Sequence, residues 1–312
     1  MARAPSLKRR GLLKLAAATG LASTLPSHAA DNAPPPQAPP LELLVLGSGG
    51  PGAVGRAGSC FVILVDGKPR ILLDAGGGAF ARLGEEKLPL HGMDIVLLTH
   101  LHVDHAAELP AIFKARAVSG GGPERFRIFG PAAGPGFPST SKMIRQLFGK
   151  GSVFEYLAHF NAPLDFNVTN LPASARQRVL PEEGGLRITA SAGHHYNVPA
   201  IMYRIDYKGR SMTFSGDFDS NSHVALRALA QNTKLLVCNA VVLDPPGSPA
   251  LLYQLHTAPR DIGEIARDVR PEQLLLAHLN PVMDGAKEQV LASIAKAWSG
   301  PVIFAEDRMH LR

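Results

Sequence analysis

The 312-residue sequence predicts a layered α/β domain. Two observations carry that expectation. After residue 40, short runs rich in Leu, Ile and Val alternate with glycine-punctuated loops and helical stretches. Four of those apolar runs also lead straight into His or Asp, as strands do where a sheet edge carries a site. A hydrophobic fraction of 46% supplies ample core and excludes wholesale disorder.

Residues 1–30 come first and contain Arg3, Lys8, Arg9, Arg10 and Lys14 but no acid. They account for five of the formal net charge of +6, so the rest of the chain is nearly neutral, at +1. A body of that charge offers no broad basic surface for RNA. The basic start, the apolar run Gly11 to Leu25 and the small residues near Ala29 and Ala30 predict a secretory signal peptide. The run is too short and too interrupted for a comfortable membrane span. "KRRGLLK" resembles the twin-arginine export signal; an ordinary signal peptide with two arginines is the alternative. The expected location is periplasmic or secreted. "DNAPPPQAPP" (31–40) reads as an extended proline-rich spacer, and 41–312 as one domain.

Within that domain strands are expected at 41–47, 59–65, 69–74, 94–98, 125–129, 186–191, 199–207, 210–215, 235–239, 273–277 and 301–304. Helices are expected at 105–118, 139–148, 259–268 and 285–297. "GSGGPG" (47–52) follows a strand but lacks the G-x-G-x-x-G spacing of a dinucleotide loop. It reads as a tight loop whose bare backbone admits something close. Cys60 and Cys238 lie on separate expected strands and read as buried thiols, with a bridge left open.

"THLHVDH" (99–105) crowds His100, His102, Asp104 and His105 behind the apolar run "DIVLLT". Downstream, "LRITASAG" leads into His194 and His195, "SMTFSG" into Asp217 and "EQLLLA" into His278. Imidazole and carboxylate suit Zn²⁺, with Mn²⁺ or Fe²⁺ as alternatives. Five histidines and two aspartates exceed the needs of one tetrahedral ion and match two.

With those residues in place, the sequence resembles the metallo-β-lactamase-fold hydrolase superfamily across 41–312. The resemblance implies a four-layer αββα sandwich of two similar halves. It also implies that His100, His102 and His195 hold one metal, that Asp104, His105 and His278 hold the other, and that Asp217 bridges. "HYNVPAIMYR" (195–204) resembles a stretch of the arylsulfatase-like and ribonuclease Z-like branches, a register that favours His195 over His194. Asp219, two residues after Asp217, reads as a loop or capping residue. "QLHTAPRDIGEIARDVRPEQLLLAHLNP" (254–281) resembles a segment shared by ribonuclease Z and the type III arylsulfatases. It makes His256, with Asp104, a candidate catalytic residue that protonates a leaving oxygen or stabilises charge on the transferred group.

Asp217 argues against β-lactam hydrolysis, because true β-lactamases of this fold lack a carboxylate there. Export argues against tRNA processing. Residues 131–185 show no glycine- and lysine-rich tRNA arm and read instead as a lid. The expectation is an exported dinuclear zinc hydrolase whose bridging hydroxide attacks a sulfate ester or small phosphodiester. Its expected partners are a small-molecule ester, with no nucleic acid and no membrane span after signal removal, and a homodimer is left open. Three alternatives are an iron-dependent sulfur-compound dioxygenase, a ribonuclease Z-like phosphodiesterase and a lactonase.

Overall fold

The computed structural model describes residues 38–52, 54–119, 124–159, 163–173 and 176–312. The leader with its twin arginines, and the spacer through residue 37, lie outside the described residues.

The N-terminal half supplies β1 (Leu41–Gly47), β2 (Cys60–Val65), β3 (Lys68–Leu73), β4 (Ile95–Leu97), β5 (Glu124–Pro131) and β6 (Leu164–Leu171). The C-terminal half supplies β7 (Arg178–Val179), β8 (Arg187–His195), β9 (Val198–Tyr207), β10 (Arg210–Phe214), β11 (Leu235–Asn239), β12 (Gln273–Ala277) and β13 (Val302–Phe304). The last strand, β14 (Met309–Leu311), crosses back to pair antiparallel with β1. Two seven-stranded sheets result, ordered β14-β1-β2-β3-β4-β5-β6 and β13-β12-β11-β10-β9-β8-β7. Strands β3 to β6 run parallel, as do β10 to β13. Parallel strands covered on both faces read as unbroken apolar runs. That is why the expected bounds of β11 and β12 match the observed ones.

Among the described residues, eight helices cover the sheets: α1 (Ala79–Glu86), α2 (Val103–Ala106), α3 (Leu109–Ser119), α4 (Thr140–Phe148), α5 (His223–Leu229), α6 (Pro259–Val269), α7 (Pro281–Gly285) and α8 (Lys287–Ile294). Alternate residues of a strand face opposite sides, so Leu43 and Leu44 serve different layers. Leu43, Phe61 and Ile63 meet Tyr203, Phe214 and Val237 between the sheets. Leu44, Val62 and Val96 pack outward on Leu83, Phe113 and Phe148 of α1, α3 and α4. Leu236, Leu274 and Leu276 pack outward on Leu226, Ile262 and Ile294 of α5, α6 and α8. The architecture is the αββα sandwich. Each such buried side chain contributes roughly 1.5–3 kcal/mol. A surface pair such as Arg308–Glu86 is screened by solvent and contributes little. The apolar layers therefore hold the fold.

Six of these elements were not expected: α1, α5, α7, β6, β7 and β14. Strand β6, "LDFNVTNL", alternates apolar and polar because it is an edge strand with one half-covered face. It pairs with β5 along its full length, and α4 packs against both. The described part of 131–185 therefore supplies α4, β6 and β7 to the sheet edges, and its Gly134–Phe137 turn brings Phe137 beside His102. The expected helix 105–118 is divided into α2 and α3, and the expected helix 285–297 is the shorter α8. Cys60 and Cys238 are free and buried in opposite outer layers. Burial pushes both thiols up, which makes them inert.

Candidate metal centre

Strand direction explains how residues far apart in sequence meet. Strands β3, β4, β8, β10, β11 and β12 all end at one edge of the sandwich. Asp74, His100, His195, Asp217, Asn239 and His278 therefore emerge together, each at or just past a strand end. His102 stands immediately before α2, whose four residues carry Asp104 and His105. The two sheets are stitched here: Ile201 N–H donates to Thr99 O at 2.8 Å, and Tyr203 OH donates to Leu98 O at 3.0 Å.

The seven side chains form two groups. His100, His102, His195 and Asp217 offer ligand atoms within 4.8 Å of one another, and so do Asp104, His105 and His278. Asp217 faces both groups with different oxygens. Its Oδ2 lies 3.6 Å from His195 Nε2 and 3.9 Å from His100 Nε2. Its Oδ1 lies 3.5 Å from His278 Nε2 and 3.8 Å from His105 Nε2. These separations are too long for hydrogen bonds. They match pairs of ligands each about 2.0–2.2 Å from a shared ion.

A second ring of contacts fixes these groups. His105 Nδ1 is 2.8 Å from Asp74 Oδ2, while Thr99 donates to Asp74 from both its backbone N–H and its hydroxyl. His195 Nδ1 donates to Leu255 O at 2.7 Å. The Asn239 amide, buried at the end of β11, donates to Asp217 Oδ1 at 2.6 Å. Partners of this kind set the tautomer and orientation of ligating imidazoles and carboxylates.

The glycine loop does admit something close. A Cβ at Gly50 would stand 2.7 Å from the His278 ring, and one at Gly76 only 2.1 Å from Asp104 O. Asp307 clamps the loop by accepting from Ser48 N–H and Ala57 N–H. Asp74, Tyr196 and His278 hold left-handed φ of 57°, 54° and 55°. Each such residue costs about 1–3 kcal/mol, a strain that gathers at functional sites.

The electrostatics favour a cation. Burial opposes charge on His105, yet Asp74 and Asp217 raise it to about 9. Its Nε2 is buried without a hydrogen-bond partner. Burial would raise the Asp217 carboxyl, but His278, His105 and His100 hold it well below the usual range. Burial and the neighbouring His105 push His100 well down. The donor set, with its orphaned nitrogen and its two carboxylates, fits divalent metal ions.

His256 sits in the loop before α6, its ring 5.3 Å from His195 and 6.0 Å from His278. Burial, reinforced by His278 and His195 against the opposing pull of Asp217, pushes it down to about 4. Thr257 holds the loop by donating to Phe218 O at 3.0 Å. His194 stays out of both groups: its Nδ1 is 2.6 Å from Asp219 Oδ2, and its side chain is half exposed. Asp219 also accepts from Asn221 N–H, capping the short turn at 220–222. Sequence reasoning missed Asp74, Thr99 and Asn239. Asp74 and Asn239 end the runs "RILLD" and "LLVCN". The strand-end pattern that marked the histidines marks them too.

Residues 53–278 match the metallo-beta-lactamase superfamily. A protein named ribonuclease Z from Mycobacterium avium is 27% identical over 282 residues, covering 86% of this chain and 96% of its own length. The short form of human tRNase Z has a TM-score of 0.67 at 20% identity, over 87% of this chain and 98% of its own. YhfI from Bacillus subtilis, described as a metallo-beta-lactamase fold protein, scores 0.67 at 19% identity with the same coverage. These relatives correct the expected partners: a small-molecule ester without nucleic acid is not what proteins named ribonuclease Z indicate. The near-neutral net charge misled because it averages over the whole surface, whereas a strand needs only a local cationic track. Among the described residues, no helix is long and apolar enough to cross a membrane.

Proposed function

We propose, from the premise that the chain belongs to the metallo-beta-lactamase superfamily, that it is a metal-dependent phosphodiesterase acting on a polynucleotide. The observation that carries this reading is Asp217, whose two oxygens face two separate histidine groups. His100, His102 and His195 would hold one ion, Asp104, His105 and His278 a second, with Asp217 shared. Such ions, when bound, supply Lewis-acid charge and lower the pKa of water. The chain's own groups do the rest. Asp74, Leu255 O and Asn239 orient His105, His195 and Asp217. His256, neutral at neutral pH, presents an N–H where charge grows on the phosphoryl group. Resident cations would push its pKa further the same way.

Phosphodiester is favoured over the sulfate ester by the ribonuclease Z relatives. The basic, apolar leader supports export, which makes polynucleotide outside the cytoplasm the expected substrate rather than a tRNA precursor. The test is a comparison of kcat/KM for bis(p-nitrophenyl) phosphate and p-nitrophenyl sulfate with zinc-loaded protein, alongside cleavage of a short RNA. The diester should be turned over at least about tenfold faster, a difference of 1.36 kcal/mol in barrier, and the RNA should be cut. Faster turnover of the sulfate with intact RNA would sink the reading.

A further inference from the structure

A cavity lies where the end of β6 in one sheet faces β7 and β8 of the other, and a tight turn stands between it and the metal cluster. In that turn Phe137 N–H donates to Gly134 O at 3.0 Å and Gly136 takes φ 76°. The turn is pressed onto β9, since a Cβ at Gly134 would stand 2.4 Å from Pro199. This holds the half-exposed Phe137 ring 5.5 Å from the ring of His102. Ala132 N–H donates to Leu171 O at 2.8 Å, which joins the root of the turn to the wall of the cavity, whose volume is about 260 Å³. Leu171, Pro172, Ala192 and Ile201 form its apolar surface, and Arg176 and Arg178 border it.

Register places this cavity relative to the metals. Ala192 pairs with Ile201 and His194 with Pro199, so the cavity floor lies three residues short of His195. At strand rise that is roughly 10 Å. Arg178 pairs antiparallel with Ala190, which carries Arg176 toward the His195 end. Both arginines are exposed, and neither meets a carboxylate among the described residues. By contrast, nearby Arg127 and Arg187 are engaged by Glu183 and Glu182. The volume falls below the roughly 300–1,000 Å³ of enclosed small-molecule sites. It suits a groove that seats one unit of a longer strand. An aromatic face followed by unpaired arginines is the combination that holds single-stranded nucleic acid.

We infer that this groove is the subsite for the polynucleotide strand beyond the scissile phosphodiester. Phe137 stacks a base beside the metal cluster, and Arg176 and Arg178 neutralise the phosphates that follow. This rests on the phosphodiesterase reading, but its test does not need turnover. Zinc-loaded protein is titrated against a fluorescein-labelled single-stranded RNA at several KCl concentrations, with RNA integrity checked on a gel. For single strands, log K falls with log[salt] by about 0.7 per phosphate contacted. The double variant Arg176→Ala/Arg178→Ala should flatten the slope by about 1.4. Phe137→Ala should weaken binding about fivefold or more with the slope kept. Arg125→Ala, at the opposite end of β5, should change neither. Equal slopes in the wild type and the double variant, or no RNA binding at all, would overturn the subsite. Binding with the flattened slope but no cleavage of any diester would uphold the subsite and remove the catalytic reading instead.

Discussion

The Asp217→Ala protein should lose metal and turnover together. Asp217 presents one oxygen toward each histidine group, so its removal withdraws a ligand from both. Changing an outer partner of a metal ligand costs about 10–100-fold, and losing a shared ligand should cost more than about 100-fold in kcat. Removal also leaves His100, His105 and His278 crowded without the buried carboxylate that offsets their charge. Zinc content by elemental analysis, with circular dichroism to confirm folding, reads the outcome. A folded variant that keeps both metals but loses activity would mean that Asp217 acts on the substrate rather than as a bridge.

The second large effect belongs to His256. Its pKa of about 4 leaves the ring neutral at neutral pH, so charge stabilisation through an N–H accounts for its position better than proton donation does. His256→Ala should keep both metals and lower kcat by roughly 10²–10³-fold, the usual cost of one such donor. The factor should be the same for a diester with a good leaving group, such as nitrophenol, and for one with a poor leaving group. A loss confined to the poor leaving group would restore the acid role. Loss of metal would make His256 a ligand.

Much of this site was legible because its chemistry is concentrated at strand ends. The run "DIVLLT" can only be a buried strand, and whatever follows it must sit at the sheet edge. The same logic found His195, Asp217 and His278. It failed for Asp74 and Asn239 because a lone Asp or Asn after a strand is also ordinary turn chemistry. Only the folded register shows Asp74 reaching His105 and Asn239 reaching Asp217. The fold was legible where strands are covered on both faces, as in β11 and β12. It was obscure where one face is open: β6 is an edge strand whose alternate residues stay polar and only half covered, and β14 is three residues long and is held by Glu42 and Glu86 through His310. The glycines before α1 hid a helix start, since Gly78 at φ 91° caps it without any side-chain signal. The partner expectation failed for a different reason. Net charge is a sum, and recognition of a strand depends on where a few arginines stand.

The central proposal is that His100, His102 and His195, Asp104, His105 and His278, and Asp217 facing both groups would hold two ions that supply Lewis-acid charge for hydrolysis. It is tested most directly by titrating zinc into metal-stripped protein while following hydrolysis of bis(p-nitrophenyl) phosphate. Activity should rise to a plateau at two equivalents per chain and stay flat beyond. A plateau at one equivalent, or activity unchanged by stripping the metal, would contradict it.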